Sequence, residues 1–388
     1  MNAEKTVREP LPRGFWVIWS TVALDMVGFG IVAPILGRYA DRYGANGFQV
    51  GLLFASFSLA QMVFSPILGR WSDRVGRKPV IVISLIGTAI GSFITGAAGA
   101  LWVLFAGRLI DGASGASVSV AQSAIADLSA PQQRARMLGL LGMAFGVGFV
   151  VGPALGGLAA LGGPHVPFYV AGVLASINAV AAIIRLPETK KVREEQPVVA
   201  HVPKQRNITS FVLIGFFSVL PFAGFEAIFS LFGGSRFNLT EAGTAAVFLA
   251  VGLLMSAVQG GLIGPLTQRF GSLKLLRVGQ VCVAAGMLFL GAAVIWPVLI
   301  IALVLMVIGA GIASPSLTTL VANSAPEAKR GEVLGFQQSS NALARVIGPP
   351  LAGLAFDHIG VGAPFTLGAG VYLIAIVVAS RRSLRHSK

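Results

Sequence analysis

Ten residues, Gly69-Arg70-Trp71-Ser72-Asp73-Arg74-Val75-Gly76-Arg77-Lys78, decide how the rest of the chain is interpreted. The stretch contains four basic residues, one carboxylate and two glycines, and it separates the apolar runs Val50–Leu68 and Pro79–Ala98. An apolar run of about 20 residues is long enough to cross a bilayer as a helix. The sequence therefore predicts a short charged loop between two membrane-spanning helices.

The composition of the whole chain is also that of a membrane protein. Of its 388 residues, 55% are hydrophobic and 11% are charged, and the mean hydropathy is +0.81. A soluble globular protein needs more charge to cover its surface. Because apolar runs recur along the full length, little of the chain remains for a soluble catalytic domain, and we expect that the protein is not an enzyme.

The apolar runs predict an all-α fold with twelve transmembrane helices in two six-helix sets. The sets are expected at residues 1–185 and 209–388, joined by a cytoplasmic linker at 186–208 that contains three prolines and mixed charge. The twelve spans are expected near residues 14–36, 49–68, 79–98, 101–123, 137–160, 166–185, 209–232, 243–266, 274–295, 297–321, 333–356 and 362–380.

The basic residues lie on alternate loops. With a cytoplasmic amino terminus, 24 of the 29 lysines and arginines fall on the inner side, and the outer side holds Arg38, Arg42 and Arg236. Basic loops stay in the cytoplasm, so we predict a multi-pass protein of the cytoplasmic membrane with both termini inside. The net charge of +14 is then a signal of topology and not of nucleic-acid binding.

Nothing in the sequence indicates a metal or another cofactor. The single cysteine, Cys282, lies inside an apolar run, so neither an intramolecular disulfide nor a thiolate cluster is expected. The four histidines all fall in predicted loops or tails. We therefore predict no cofactor and no metal site.

Two parts of the sequence recur about 195 residues apart. Gly264–Gly271 repeats the pattern of Gly69–Gly76, and Gly348–Leu354 repeats that of Gly152–Leu158. We interpret the repeats as a duplication that produced the two six-helix sets. Gln268 stands in the second copy where the first copy has Asp73, so the two loops are not expected to be functionally equal.

The opening loop resembles the one between the second and third helices of major facilitator superfamily transporters. The resemblance implies two sets of helices with substrate bound between them at mid-membrane. It also implies that Asp73 stabilises one conformational state and that Arg77 reaches Asp127 at the end of the fourth span; the alternative is a basic loop that only sets orientation. The fixed positions of the motif are Gly69, Asp73, Arg74, Gly76, Arg77 and Lys78.

The fifth span carries glycines at helical spacing. Glycines four residues apart share a helix face on which another backbone can approach closely, and a proline allows the helix to bend. The spacing is similar to the antiporter motif of exchangers in the same superfamily, which implies export; generic tight packing is the alternative. The motif residues are Gly139, Gly148, Gly152, Pro153, Gly156 and Gly157.

Charged residues inside the predicted spans are functional hypotheses, because a charge at the bilayer centre costs ~2.5–3.5 kcal/mol. The pattern around Asp25 resembles the first-helix motif of the family's drug exporters, and Arg108 resembles a fourth-helix arginine associated with proton coupling. Asp111 departs from the neutral residue usual in that motif. Its spacing places it on the same helix face as Arg108. A structural Arg108–Asp111 pair and a proton-coupling arginine therefore both remain open.

Glu226 is the most distinctive acid in the second set. Phe222, Phe225, Glu226 and Phe229 share one helix face. A carboxylate among aromatic rings suits a lipophilic cation, since each ring face contributes ~0.5–2 kcal/mol. The stretch also looks like the seventh helix of bacterial multidrug exporters of the drug/proton antiporter family. The alternative is that the rings face lipid and Glu226 is a packing acid.

These features predict proton-coupled efflux of small amphipathic or cationic drugs by alternating access. Asp25 and Glu226 are the expected proton or cation sites, and Arg108 is expected to tune Asp25. Arg345 is expected either to contact an anionic substrate group or to pair with Glu226. The expected partners are a small-molecule substrate, protons and lipid, with no nucleic acid, and the protein is expected to be monomeric. The alternative is an exporter of a natural metabolite, such as a sugar or amino acid, on the same fold.

Overall fold

The structure, a computed structural model, describes residues 11–12, 14–128, 131–189, 206–324 and 330–380. Within these ranges every regular element is a helix. The helices are α1 Phe15–Asp41, α2 Gly47–Val75, α3 Arg77–Gly96, α4 Leu101–Ser114, α5 Ser117–Leu128, α6 Pro131–Ala160, α7 Val166–Arg185, α8 Arg206–Phe237, α9 Glu241–Ala257, α10 Ile263–Phe270, α11 Ser272–Ala292, α12 Trp296–Ser324, α13 Arg330–His358 and α14 Ala363–Ser380.

The helices follow the predicted spans, with two of the spans divided. Helices α4 and α5 share the fourth span and are separated by Gly115 and Ala116, while the π-helical turn Val258–Leu262 separates α9 from α10 in the eighth. Counting α9 and α10 as one, nine helices in the described ranges are long and apolar enough to cross a membrane. The predicted all-α class is therefore confirmed.

The predicted division into two sets falls where little of the chain is described. Helix α7 ends at Arg185 and α8 begins at Arg206. Residues 190–205, most of the predicted linker, lie outside the described residues, as do the first ten and last eight residues of the chain. The domain boundaries and the cytoplasmic placement of the termini therefore stay predictions.

The N-terminal helices (α1–α7) and the C-terminal helices (α8–α14) are joined by polar contacts at one end of the molecule. The Asp357 carboxylate accepts hydrogen bonds of 2.8 Å from the N–H groups of Gly47 and Phe48, at the beginning of α2. An ion pair of 2.7 Å joins Arg42 to Glu241. We call this the Asp357 end; the opposite end, where α2 meets α3, is the Asp73 end.

Candidate functional site

The fourth predicted span is broken near its middle. At the break, the Gly115 N–H donates to the Gly112 carbonyl at 3.0 Å, and the Ala116 N–H donates to the Ser114 carbonyl at 2.8 Å. These bonds join residues three and two positions apart, whereas the bonds of an α-helix join residues four positions apart. The Gly115 carbonyl accepts a hydrogen bond of 2.9 Å from Nε2 of Gln61 on α2. Helices α4 and α5 therefore meet at a turn that is held from outside by a side chain.

Arg108 forms a closed pair within α4. Its Nη1 lies 2.7 Å from Oδ2 of Asp111, and its guanidinium carbon lies 4.2 Å from the centre of the Phe57 ring. Arg108 is buried, and Asp111 also forms a hydrogen bond with Thr88. The sequence left open a structural Arg108–Asp111 pair and a proton-coupling arginine. The geometry observed here is that of the Arg108–Asp111 pair. A part for Arg108 in proton coupling stays a prediction.

Asp25 is held by a residue that the sequence did not single out. The hydroxyl of Ser117, the first residue of α5, donates a hydrogen bond to Oδ2 of Asp25. The ion pairs among the described residues do not include one between Asp25 and Arg108. Arg108 was expected to tune Asp25 directly. In the structure the direct partner of Asp25 is instead the neutral hydroxyl of Ser117. Asp25, Arg108, Asp111 and Ser117 nevertheless line one cavity of about 40 Å³.

Small residues bring α6 against α1 beside this cavity. A Cβ added to Gly148 would lie 2.6 Å from the carbonyl oxygen of Met26, and one added to Gly152 would lie 2.6 Å from the Gly30 backbone. Only glycine allows such an approach, which is how helices associate closely in a membrane. The other residues of the predicted antiporter motif, Gly139, Pro153, Gly156 and Gly157, lie on the same helix.

Glu226 lies on α8 with one carboxylate oxygen unpartnered. Its Oε1 atom is buried and has no hydrogen-bond partner among the described residues. The charges of Arg345 and Arg108 both act on this carboxylate. Among the ion pairs that the structure describes, however, neither arginine is paired with Glu226. Arg345 itself is exposed. The expected Arg345–Glu226 pair therefore takes the form of a longer-range interaction.

The phenylalanines near Glu226 pack into the interior of the C-terminal helices. Phe225 and Phe229 are 2% and 0% exposed, and their ring centres lie 5.9 and 5.6 Å from that of Phe248 on α9. Phe222 is partly buried and lies 5.9 Å from Phe225. Phe225 and Phe229 thus have a packing role here, although they face other rings and not lipid. Their predicted contact with substrate remains a prediction.

At the Asp73 end, Arg77 joins the ends of α2, α3 and α5. Its Nη1 lies 2.6 Å from Asp73 and 2.7 Å from the Ser72 hydroxyl. Its Nε lies 2.9 Å from Oδ2 of Asp127. The predicted contact between Arg77 and Asp127 is present, and its role in gating is still a prediction. Arg74 is exposed, and the space around Gly69 is open.

Glu188 is a second participant at this end that the sequence analysis missed. Its carboxylate accepts hydrogen bonds from the N–H groups of Arg77 at 2.9 Å and Lys78 at 3.2 Å, the first residues of α3. Carboxylates stabilise helix amino termini through such bonds and through the helix dipole. Gly76 has φ of 109°, and a Cβ there would collide with Glu188. Its sequence signal was a single acid following Pro187, which is too weak to identify a cap.

The uncharged polar residues of the cavity were also missed. Gln61 on α2, Thr88 and Ser92 on α3, and Ser117 on α5 line the cavity together with Asp25. Each is an isolated polar residue in an apolar run, and such residues form no recognisable motif. The glycines at 112 and 115 were the available signal for the broken helix, since glycine weakens a helix interior.

The chain resembles known proteins over nearly its whole length. A family model described as Major Facilitator Superfamily matches residues 18–262 and 254–387. The chain is 31% identical over 375 residues to "Tetracycline resistance protein, class B" of Escherichia coli, covering 92% of each chain. It is 26% identical over 391 residues to "Multidrug resistance protein 2" of Bacillus subtilis (strain 168), covering 97% of this chain and 95% of that relative.

The fold is similar to that of a solved human protein. The crystal structure of the human organic anion transporter MFSD10 (TETRAN) matches with a TM-score of 0.72 and 24% sequence identity. The match covers 95% of this chain and 99% of that chain. This likeness supports the architecture and carries no information on substrate.

Proposed function

The chain belongs to the Major Facilitator Superfamily, and from this we propose that it exports small amphipathic or cationic drugs across the cytoplasmic membrane in exchange for protons. The resemblance seen in the loop around Asp73 is thereby confirmed at the level of the family. The protein is a multi-pass membrane transporter and not an enzyme. Relatives that match nearly its whole length are named for resistance to tetracycline and for multidrug resistance.

The observation that carries the proposal is the unequal pairing of three acids within the membrane-spanning segments. Arg108 neutralises Asp111 at 2.7 Å, whereas the described residues place no cation at ion-pair distance from Asp25 or Glu226. An unpaired acid is expensive inside a membrane, so its retention indicates a function. Either acid can take up a proton, and Glu226 can also attract a cationic substrate.

The arrangement of the helices supports an inward-open state. The ion pair of Arg42 with Glu241 and the hydrogen bonds to Asp357 close the Asp357 end. In alternating access the substrate site opens to one side at a time, so closure of the Asp357 end leaves the Asp73 end as the open side. Because basic loops stay in the cytoplasm, we place the Asp73 end inside the cell.

Exchange then follows from which ligand occupies the acids on each side. A cationic drug enters from the cytoplasm and is attracted by ionised Glu226; after the change of state, protons from outside replace it and are released inside. For an uncharged drug, one proton moving down 100 mV supplies ~2.3 kcal/mol, which sustains a substrate gradient of roughly fiftyfold. Exchange of a monocationic drug for one proton moves no net charge, so the pH difference alone drives it.

Proteoliposomes with an internal pH dye test this proposal. Addition of a cationic drug to the wild type should move protons in the opposite direction, and expression in a pump-deficient host should raise resistance in a drug panel. Drug movement without proton movement would refute exchange. Transport of a sugar or an amino acid, with no drug transported, would support the metabolite exporter instead.

The orientation has its own test. Single cysteines at Val75 and Ile359, which are 45% and 69% exposed at the two ends, are introduced in a Cys282→Ala background. Impermeant reagents should label Ile359→Cys from outside intact cells and Val75→Cys only from inside. Labelling of both from outside would overturn the placement of the Asp73 end.

A further inference from the structure

Helix α5 connects the cavity around Asp25 with the Asp73 end. Its first residue, Ser117, donates a hydrogen bond to Asp25, and its penultimate residue, Asp127, binds Arg77 at 2.9 Å. The ten residue steps from Ser117 to Asp127 span about 15 Å at the rise of an α-helix. One short helix therefore touches both the candidate proton site and the candidate gate.

The buried face of α5 fits it to move as one body. Val120, Ala121, Ala124 and Ile125 are each no more than 1% exposed. They pack in one apolar cluster with residues of α1 and α3, including Ile18. Such a stripe, at positions i, i+1, i+4 and i+5, is the core-facing side of a helix. Two of these four residues are alanines, so part of this face lies close to its neighbours without bulky side chains between the helices.

The turn between α4 and α5 is held against α2 on its α4 side. A Cβ at Gly112 would collide with the carbonyl oxygen of Phe57, so the end of α4 lies directly against α2. Gln61 binds the Gly115 carbonyl from the same helix. Because the helical hydrogen-bond ladder is interrupted here, α5 can pivot while α4 and its Arg108 stay in place.

The charged groups around Asp25 are few. The charge that acts on Asp25 is that of Asp111 on α4, which is itself paired with Arg108. Glu226 is the charged residue in the middle of α8. The middle parts of α2 and α6 have no charged residue, and α7 presents only the neutral Asn178, which binds the carbonyl of Thr21 on α1. Ser117 is therefore the direct hydrogen-bond donor through which a change of charge on Asp25 is felt by another helix.

We propose that Ser117 is a positioning residue that transmits the protonation state of Asp25 through α5 to the Arg77–Asp127 pair. The inference rests on the proposed proton exchange. Ionised Asp25 accepts a charge-assisted hydrogen bond, which is roughly twice as strong as a neutral one. When Asp25 takes up a proton, this bond weakens, α5 pivots at the Gly115–Ala116 turn, and the contact between Asp127 and Arg77 opens.

The test measures transport and distance on the same variants. Spin labels are placed at Val75, the last residue of α2, and at Gln122, an exposed residue midway along α5, in a Cys282→Ala background. They report the separation of these two helices. In the wild type this separation should change with pH. The pH at the midpoint of that change should equal the pH at the midpoint of drug–proton exchange. In Ser117→Ala the separation should stop responding to pH, and the exchange midpoint should move up by roughly one pH unit, the tenfold change expected from losing a hydrogen bond to an ionised group.

Matched variants separate transmission from damage to the fold. Ser117→Thr keeps the hydroxyl and should restore the response. Ser123→Ala is the control, because that hydroxyl on α5 donates only to the Ser119 carbonyl, at 3.2 Å. Asp25→Asn, which mimics the protonated acid, should fix the separation at its low-pH value at every pH.

A double-mutant cycle gives the deciding result. If α5 carries the signal, Ser117→Ala combined with Asp127→Asn should shift the exchange midpoint no further than the larger single effect. Additive shifts, or an unchanged response in Ser117→Ala, would overturn the inference. A wild type that moves no protons with drug, yet changes its separation with pH in a Ser117-dependent way, would refute the exchange and support the link.

Discussion

A glycine on α3 and a glycine on α11 meet their neighbouring helices in the same way. A Cβ at Gly91 would lie 2.9 Å from the backbone nitrogen of Asp111, and one at Gly286 would lie 2.7 Å from that of Met306. Both contacts require a glycine because the facing backbone occupies the space of a side chain. The two helix pairs thus share their packing, and they differ in whether the facing residue carries a charge.

Helices α7 and α14 show the same correspondence by hydrogen bonding. The Asn178 side chain donates to the Thr21 carbonyl of α1 at 2.9 Å, and the Tyr372 hydroxyl donates to the Ser218 carbonyl of α8 at 2.7 Å. The residue types differ, but each bond ties the last helix of its set to the first. The two bonds are similar in placement but not in register, since Asn178 and Tyr372 are 194 residues apart while Thr21 and Ser218 are 197 apart.

The matching contacts of Gly91 and Gly286, 195 residues apart, pair Arg108 with Leu303 and Asp111 with Met306. At the same offset Asp25 pairs with Leu220, and Glu226 pairs with Ile31. At every one of these places one set has a charge and the other has an apolar residue. The two sets thus share their helix packing but carry their charged residues at different positions. This difference fits a proton site on the N-terminal helices and a cation site on the C-terminal helices.

The largest effect should follow from changing the acid of the N-terminal helices. Asp25→Asn cannot titrate, so coupling should be lost for every substrate, and the gradient of an uncharged drug should fall from roughly fiftyfold to about one. The measurement is drug accumulation and drug-induced proton movement in proteoliposomes. The matched control is Leu220→Met at the counterpart, a volume-conserving change that should keep coupling. An Asp25→Asn, Glu226→Gln double variant that still moves protons at the normal ratio would make Asp111 the next coupling candidate.

The buried ion pair should show the next largest effect, on stability. Asp111→Met leaves Arg108 buried without its partner and should destabilise the fold by about 3–5 kcal/mol. Arg108→Leu combined with Asp111→Met installs the residues of the counterpart and should recover most of the loss. Thermal unfolding in detergent measures both. If the double variant were as unstable as the single one, the counterpart positions would not be equivalent in packing.

Glu226→Gln should weaken binding of cationic drugs and spare neutral ones. Loss of the carboxylate charge removes ~1.5–3 kcal/mol of charge-assisted interaction, or about tenfold to a hundredfold in Kd. Equilibrium binding of one cationic and one neutral drug distinguishes the two cases. Glu241→Gln is the control, because that acid pairs with Arg42 at the Asp357 end. Equal losses for both drugs would assign Glu226 a structural role.

The smallest effect is expected at the loop of the opening motif. Asp73 is 62% exposed, and an exposed ion pair contributes ~0.2–1 kcal/mol, so Asp73→Asn should slow turnover by at most about fivefold. The KM should stay nearly unchanged because the loop is remote from the cavity. Gln268→Asn, at the counterpart, should change neither value. A large rise in KM at normal turnover would contradict a gating role for Asp73.

The sequence by itself determined the features that depend on local composition. Hydrophobic runs identified the helices because each span must be apolar along its own length, and the charged decapeptide identified the loop because its residues are contiguous. The approach of Arg77 to Asp127 was predicted through the family resemblance. Asp25, Arg108, Asp111 and Glu226 stood out because charges are rare in such runs.

The tertiary structure decided which groups meet. It placed Arg108 with Asp111, gave Asp25 the hydroxyl of Ser117, and turned Phe225 and Phe229 into the packed interior. Such contacts depend on how far each helix is rotated and how deep it lies against its neighbours. Packing over the whole set of helices fixes those quantities, and the one-dimensional pattern does not contain them, because a neutral serine forms the same local sequence whether or not a carboxylate faces it.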